Sequence, residues 1–98
     1  MIRVVIERNI RPNHLEEYLD LIRQVRKQAN HQSGFIAGEL LHEKDKPQHA
    51  MIISSWENCA AWQQWFESEQ RANTLKQMSP YLVEQETITI LESSPILA

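Results

Sequence analysis

The stretch WENCAAWQQWFES, residues 56 to 68, carries all three tryptophans of a chain that has only two tyrosines and two phenylalanines besides. Indoles in such a cluster do one of two jobs: they fill a core, or they offer flat apolar walls to a planar ligand. Helical spacing separates the two in part. At roughly 100° of rotation per residue, Phe66 falls about +40° from Trp62, Cys59 about +60° and Trp65 about −60°. Trp62 and Phe66 are therefore expected to plug the core, whereas Trp65, on the shoulder of the stripe, is placed to wall a gap between helix and sheet. Trp56 ends a strand, and its face depends on the strand register.

Fewer ionisable residues break into apolar patterns. Glu39 lies among Phe35, Ala37 and Leu41 on one predicted strand face, where it could act as a base or make an ion pair across a subunit interface. Arg26 falls inside the apolar stripe of the first helix, where its stem can lie on the core and its head in water. The four histidines are His14, His31, His42 and His49. His42 and His49 could meet across a hairpin, but zinc normally takes three or four protein ligands, so they read as exposed hairpin residues and no metal is expected. The single cysteine, Cys59, excludes an internal disulfide and reads as a small buried apolar group.

These residues need a frame. IRVVIERNI (2 to 10) alternates, with Ile2, Val4 and Ile6 on one side, and predicts a strand. After Pro12, Asn13 and Glu16 suggest a capped helix start, and Leu15, Tyr18, Leu19, Ile22, Val25 and Ala29 form one stripe running to Ser33-Gly34. FIAGELLHE (35 to 43) and HAMIISSW (49 to 56) predict a hairpin around KDKPQ, whose proline is expected outside the ladder. Asn58 can cap a second helix, continuing with a break to Met78, and VEQETITIL (83 to 91) predicts the last strand.

The order strand, helix, strand, strand, helix, strand specifies an α+β, ferredoxin-like βαββαβ fold: a four-stranded antiparallel sheet with two helices on one face. A sheet covered on one side should alternate cleanly. Here Val4 and Val5, Ile52 and Ile53, and Ile36 and Leu40 against Phe35 and Leu41, place apolar residues on both faces. The helix-free face is therefore expected to bury itself against a second copy, giving a homodimer.

Ninety-eight residues describe one domain, 1 to 98. A net charge of −3 with scattered Lys and Arg leaves no basic stripe for nucleic acid. Neither a membrane span nor a signal peptide is apparent, which suggests a cytoplasmic protein.

The strand order, Trp56, Trp65, the run W-F-E-S-E-Q-R (65 to 71) and GFIAGEL at the start of the second strand together resemble the antibiotic biosynthesis monooxygenase (ABM) family of dimeric α/β-barrel proteins. The resemblance implies a homodimer of ferredoxin-like protomers, each with a pocket between sheet and helices. It also implies oxidation of a small aromatic substrate, a quinol or anthrone-like molecule, by molecular oxygen without a cofactor. An electron-rich phenolate or carbanion can pass an electron to oxygen itself, so the protein need only bind it dry and orient it. In the W-x-x-S-x-x-R pattern of Trp65, Ser68 and Arg71, Arg71 could hold an acidic or phenolate group with its fork of donors. Asn9 is the other candidate contact to polar substrate atoms.

Haem-degrading relatives pair an Asn in strand one with a helix-two Trp and a His ten residues beyond it. Here Trp65 matches, but Leu75 stands at the His position and Ile6 aligns best with the Asn, so haem degradation ranks third. The competing reading is a non-catalytic ligand-binding or stress-response dimer, because a His common at the Trp65 position in quinol-oxidising relatives is replaced.

Overall fold

The computed structural model describes residues 1–94. Strands β1 (Ile2–Asn9), β2 (Phe35–Glu43), β3 (Lys46–Trp56) and β4 (Thr87–Glu92) form one sheet in the order β2-β3-β1-β4, with every pairing antiparallel. Helix α1 (Leu15–Asn30) and the pair α2 (Cys59–Phe66) and α3 (Glu69–Met78) cover one face. This is the ferredoxin-like α+β arrangement. On β1 the period-two rule holds from end to end: Ile2, Val4, Ile6 and also Arg8 are buried under the helices, while Val5, Glu7 and Asn9 point to the other side.

Several local expectations are corrected. The α1 start has no Asn13 cap; Pro12–His14 forms a 3-10 turn, and His14 occupies the cap position without a side-chain bond. β3 begins at Lys46 and includes Pro47, because pairing with β1 stops at Asn9↔His49 and leaves the proline without a neighbour on that side. The turn into it is tight, with Asp45 in the left-handed region at φ 67°. β4 is four residues later in starting than the apolar pattern suggests. After the Ile10↔Leu82 bridge and the bond from Val83 N–H to the Asn9 carbonyl at 2.8 Å, residues 84 to 86 leave the ladder, which frees Glu86 to point inward.

A register shift between Phe35 and Ala37 has the largest consequence for the interior. With the extra residue taken up at Ile36, Phe35 pairs with Trp56 and turns to the helix-covered face, away from Ala37 and Glu39. Gly38 makes space for it: a Cβ there would lie 3.4 Å from the Phe35 ring. Trp56 is likewise on the helix-covered face and almost fully buried. The corner before β2 is equally tight. Gly34 has φ +86° and a Cβ on it would sit 2.5 Å from that of Ala61, so only glycine allows the start of α2 to dock there. The backbone bond from Glu57 N–H to the Gly34 carbonyl, at 2.8 Å, fixes the same approach.

The core has two parts. One gathers Ile2, Val4, Ile6, Ala29, Trp56, Trp62 and Trp65; the other gathers Ile10, Tyr18, Leu21, Ile22, Ala50, Met78 and Leu82. Val25 and Ile52 pack against both.

Candidate functional site

Between the sheet and the helices lies a cavity of about 200 Å³, walled by Ile6, Ile22, Phe35, Trp56, Trp62 and Trp65. The rings interlock edge to face. Phe35 and Trp56 have centroids 5.2 Å apart, Trp56 and Trp62 5.8 Å, with interplanar angles of 77° and 69°. The Trp56 indole N–H donates to Ser54 Oγ at 3.0 Å, so this buried donor is satisfied without leaving the wall.

Trp62 and Trp65 are both buried, but Phe66 is 40% exposed, so it is not the core plug its spacing predicts. Cys59 is exposed as well, at the first turn of α2. The apolar face of the helix is centred between Trp62 and Trp65, rotated away from Phe66 and Cys59. The helix is short for a reason lodged in Ser68. Its Oγ donates to the Trp65 carbonyl at 2.7 Å, closing α2, and accepts from the Arg71 N–H at 3.2 Å, capping α3. The W-x-x-S-x-x-R spacing is thus a hinge that sets Trp65 and Arg71 relative to one another. Ser68→Ala is expected to cost about 1 kcal/mol of stability by loss of the cap. Urea denaturation checks it, and an unchanged midpoint would show that water replaces the hydroxyl.

Two buried arginines, Arg8 and Arg71, 2% and 5% exposed, interrupt the apolar lining of the cavity. Both bind Glu86. Arg8 donates from Nε and NH2 to Oε1 at 3.0 and 2.7 Å, and Arg71 donates from NH2 to Oε2 at 2.7 Å. The remaining terminal nitrogen of Arg8 donates to the Tyr18 hydroxyl at 3.1 Å. The Arg71 guanidinium carbon stands 5.0 Å from the Phe66 ring centre and 5.7 Å from that of Trp62. Burial pushes the Glu86 carboxyl up, but the charges and hydrogen bonds of Arg8 and Arg71 outweigh it and hold the group below its ordinary value.

Of the four candidates named from sequence, Trp65, Arg71 and Glu39 border this cavity. Glu39 is exposed and lies opposite Ile53 on the helix-free side of the register. Asn9 is not among the lining residues: it faces the other side of the sheet, with its Nδ2 donating to Glu84 at 2.6 Å. Arg8 and Glu86 are not among the sequence candidates. Arg8 is implicit in the alternation of Ile2, Val4 and Ile6, whereas nothing in the spacing around Glu86 signals its role.

The histidines stay apart. His42 shares a register position with Ala50, while His49 bonds Glu43 at 2.9 Å and approaches Glu7 at 3.5 Å. Among the described residues no group of three or more His, Cys, Asp or Glu side chains is placed to hold a metal ion.

A sequence model of the antibiotic biosynthesis monooxygenase family matches residues 1–77. No curated protein matches this chain. Among solved structures, that of an antibiotic biosynthesis monooxygenase has a TM-score of 0.89 at 19% identity, covering 97% of this chain and 100% of its own. A conserved protein from Methanosarcina mazei Go1 has a TM-score of 0.89 at 19% identity, over 95% and 92% of the two chains. A variant of SnoaB, a cofactor-independent oxygenase from Streptomyces nogalater, has a TM-score of 0.84 at 14% identity, over 94% and 91%. At such identities these likenesses show the shared fold.

Proposed function

Because the chain belongs to the antibiotic biosynthesis monooxygenase family, we propose that it is an oxygen-dependent, cofactor-independent monooxygenase of a small aromatic substrate bound in the indole-walled cavity. The observation that carries this reading is the cavity itself: an aromatic lining that includes the buried guanidinium of Arg71. An electron-rich quinol lies against the indole wall, and Arg71 favours its ionised phenolate, which is the form that gives an electron to oxygen. For a hydroquinone the balance is one substrate plus one O2 yielding one hydroxyquinone plus one water. One oxygen atom enters the ring, the other leaves as water, and all four electrons come from the substrate.

The active unit in this proposal is a cytoplasmic homodimer of single-domain protomers spanning residues 1–98, joined through the helix-free sheet face as a dimeric α/β barrel. That face carries Val5, Met51 and Ile53, with Leu41 and Leu91 exposed at 42% and 46%. No helix of the described residues is long and apolar enough to cross a membrane. A non-catalytic ligand-binding dimer is the second reading, favoured by one feature: the ionisable side chains bordering the cavity are arginines and an exposed Glu39, which leaves no imidazole to take a proton.

Oxygen uptake by the purified protein with hydroquinones, catechols and anthrones, with and without added flavin or haem, separates the two. Uptake above autoxidation without added cofactor, reduced at least about 100-fold in Trp65→Ala by loss of substrate orientation, is the expected result. Uptake no faster than autoxidation under every condition leaves the binding protein. Sedimentation at micromolar concentration tests the dimer, and a monomer there would overturn it.

A further inference from the structure

The charge around the cavity is opposite to that of the protein. The chain has a net charge of −3 and only ten Lys and Arg in all. Four arginines, Arg8, Arg23, Arg26 and Arg71, border this cavity with one carboxylate, Glu39; Arg23 and Arg26 are exposed and Arg23 pairs with Asp20 at 2.8 Å, so the buried positive charge is that of Arg8 and Arg71. Behind the wall Glu86 is shared by Arg8 and Arg71, so the buried trio still holds one positive charge in excess. Buried charge without a counterion is costly, and folds keep it where something pairs with it.

Arg71 is the side chain with capacity left. Among the described residues only its NH2 has a hydrogen-bond partner; Nε and NH1 have none and are not sealed from solvent, so they are open to a ligand. Arg8, by contrast, spends all three nitrogens on Glu86 and Tyr18. Arg8 and Glu86 therefore orient Arg71, and Arg71 offers a fork of donors suited to a planar, bidentate oxyanion.

Size narrows the ligand further. An apolar cavity of about 150 Å³ admits one benzene ring. A cavity of about 200 Å³ suits one ring with small substituents better than three fused rings.

We propose that the cavity takes a single-ring aromatic carboxylate, its ring against the indole wall and its carboxylate on Arg71. The proposal rests on reading this cavity as the ligand site, and it narrows the substrate from quinols in general to hydroxylated benzoates. Hydroquinones become weaker analogues that fill the aromatic slot and offer Arg71 one phenol oxygen in place of a bidentate carboxylate.

The test is a titration followed by tryptophan fluorescence at pH 7, using 2,5-dihydroxybenzoate, hydroquinone, benzoate and 1,8-dihydroxyanthrone. The dihydroxybenzoate is expected to bind about 10- to 100-fold tighter than hydroquinone, the range for a charge-assisted bond. The anthrone is expected to bind weakest. In Arg71→Met the advantage of the carboxylate over hydroquinone should vanish. If that variant does not fold, the Arg8→Met, Glu86→Leu, Arg71→Met triple variant replaces the whole charged group with apolar volume, an exchange that folds commonly tolerate, and should show the same loss. Equal affinity for dihydroxybenzoate and hydroquinone, or an advantage that survives removal of the arginines, overturns the proposal.

Oxygen uptake is scored separately on the same compounds. Uptake with hydroquinone but no carboxylate preference sinks the anion site and leaves the oxygenase standing. Carboxylate binding that depends on Arg71, with no uptake on any compound, sinks the oxygenase and leaves the anion site.

Discussion

Glu86→Ala is expected to destabilise the protein by about 3–5 kcal/mol, because it removes the one carboxylate shared by two buried guanidiniums. Forming the pairs contributes little beyond the cost of desolvating three charges; breaking them leaves Arg8 and Arg71 facing each other with nothing between. At roughly 4–8 °C of Tm per kcal/mol for a domain of this length, the loss is large on any thermal scan, and it takes up much of the roughly 5–15 kcal/mol that small domains have in total. Urea denaturation of the two proteins side by side measures it. A difference below about 1 kcal/mol would mean that water reaches both guanidiniums, and the carboxylate would then be an exposed ion pair in energetic terms.

The same carboxylate sets a pH dependence of definite sign. Its folded value is lower than its ordinary 4.5, so its ionised form is favoured by folding. That contribution is fully present above the ordinary value and is lost as the pH falls through the lowered folded one. Stability should therefore decline on acidification below pH 4.5, and Glu86→Ala should show a shallower decline over the same range. Parallel curves for the two proteins would assign the acid sensitivity to other carboxylates.

The strand order was legible in the sequence because it rests on long periodic segments, and the hidden part lay where periodicity is broken. The extra residue at Ile36 reverses the face of Phe35, and a one-residue slip of that kind leaves no trace in composition. Phe66 was misplaced for a related reason. A wheel drawn through residues 59 to 66 fixes angles but not the centre of the buried arc, and Ser68 ends the helix one turn after Trp62 and Trp65 have taken the core positions. Trp65 and Arg71 were visible as a motif, although its physical content, a serine that closes one helix and opens the next, required the hydrogen bonds. Arg8 could have been found by carrying the alternation of β1 two residues further. Glu86 could not, since it becomes a partner only because the chain leaves the ladder after Val83 and brings residues far apart in sequence together.

Trp56→Ala should rival the loss at Glu86, about 3–5 kcal/mol, by the cost of a large void in a close-packed wall. Trp56 is 1% exposed, sits between Phe35 and Trp62, and belongs to the fully buried set of largest side chains. Removing the indole also frees Ser54 Oγ, whose other bond, to the Val4 carbonyl, is long at 3.5 Å. Trp56→Phe keeps most of the volume and loses only the N–H bond, so its cost should stay near 1 kcal/mol. The two variants separate packing from hydrogen bonding. They also bear on ligand size, because the void opens onto the existing cavity of about 200 Å³ and should let a two-ring naphthoate enter where the parent admits one ring. Denaturation curves report the first effect and titration with benzoate and naphthoate the second. An Ala variant that loses stability without gaining naphthoate would show that neighbouring side chains collapse into the space, which would make the wall a support for the core more than a measure of the ligand.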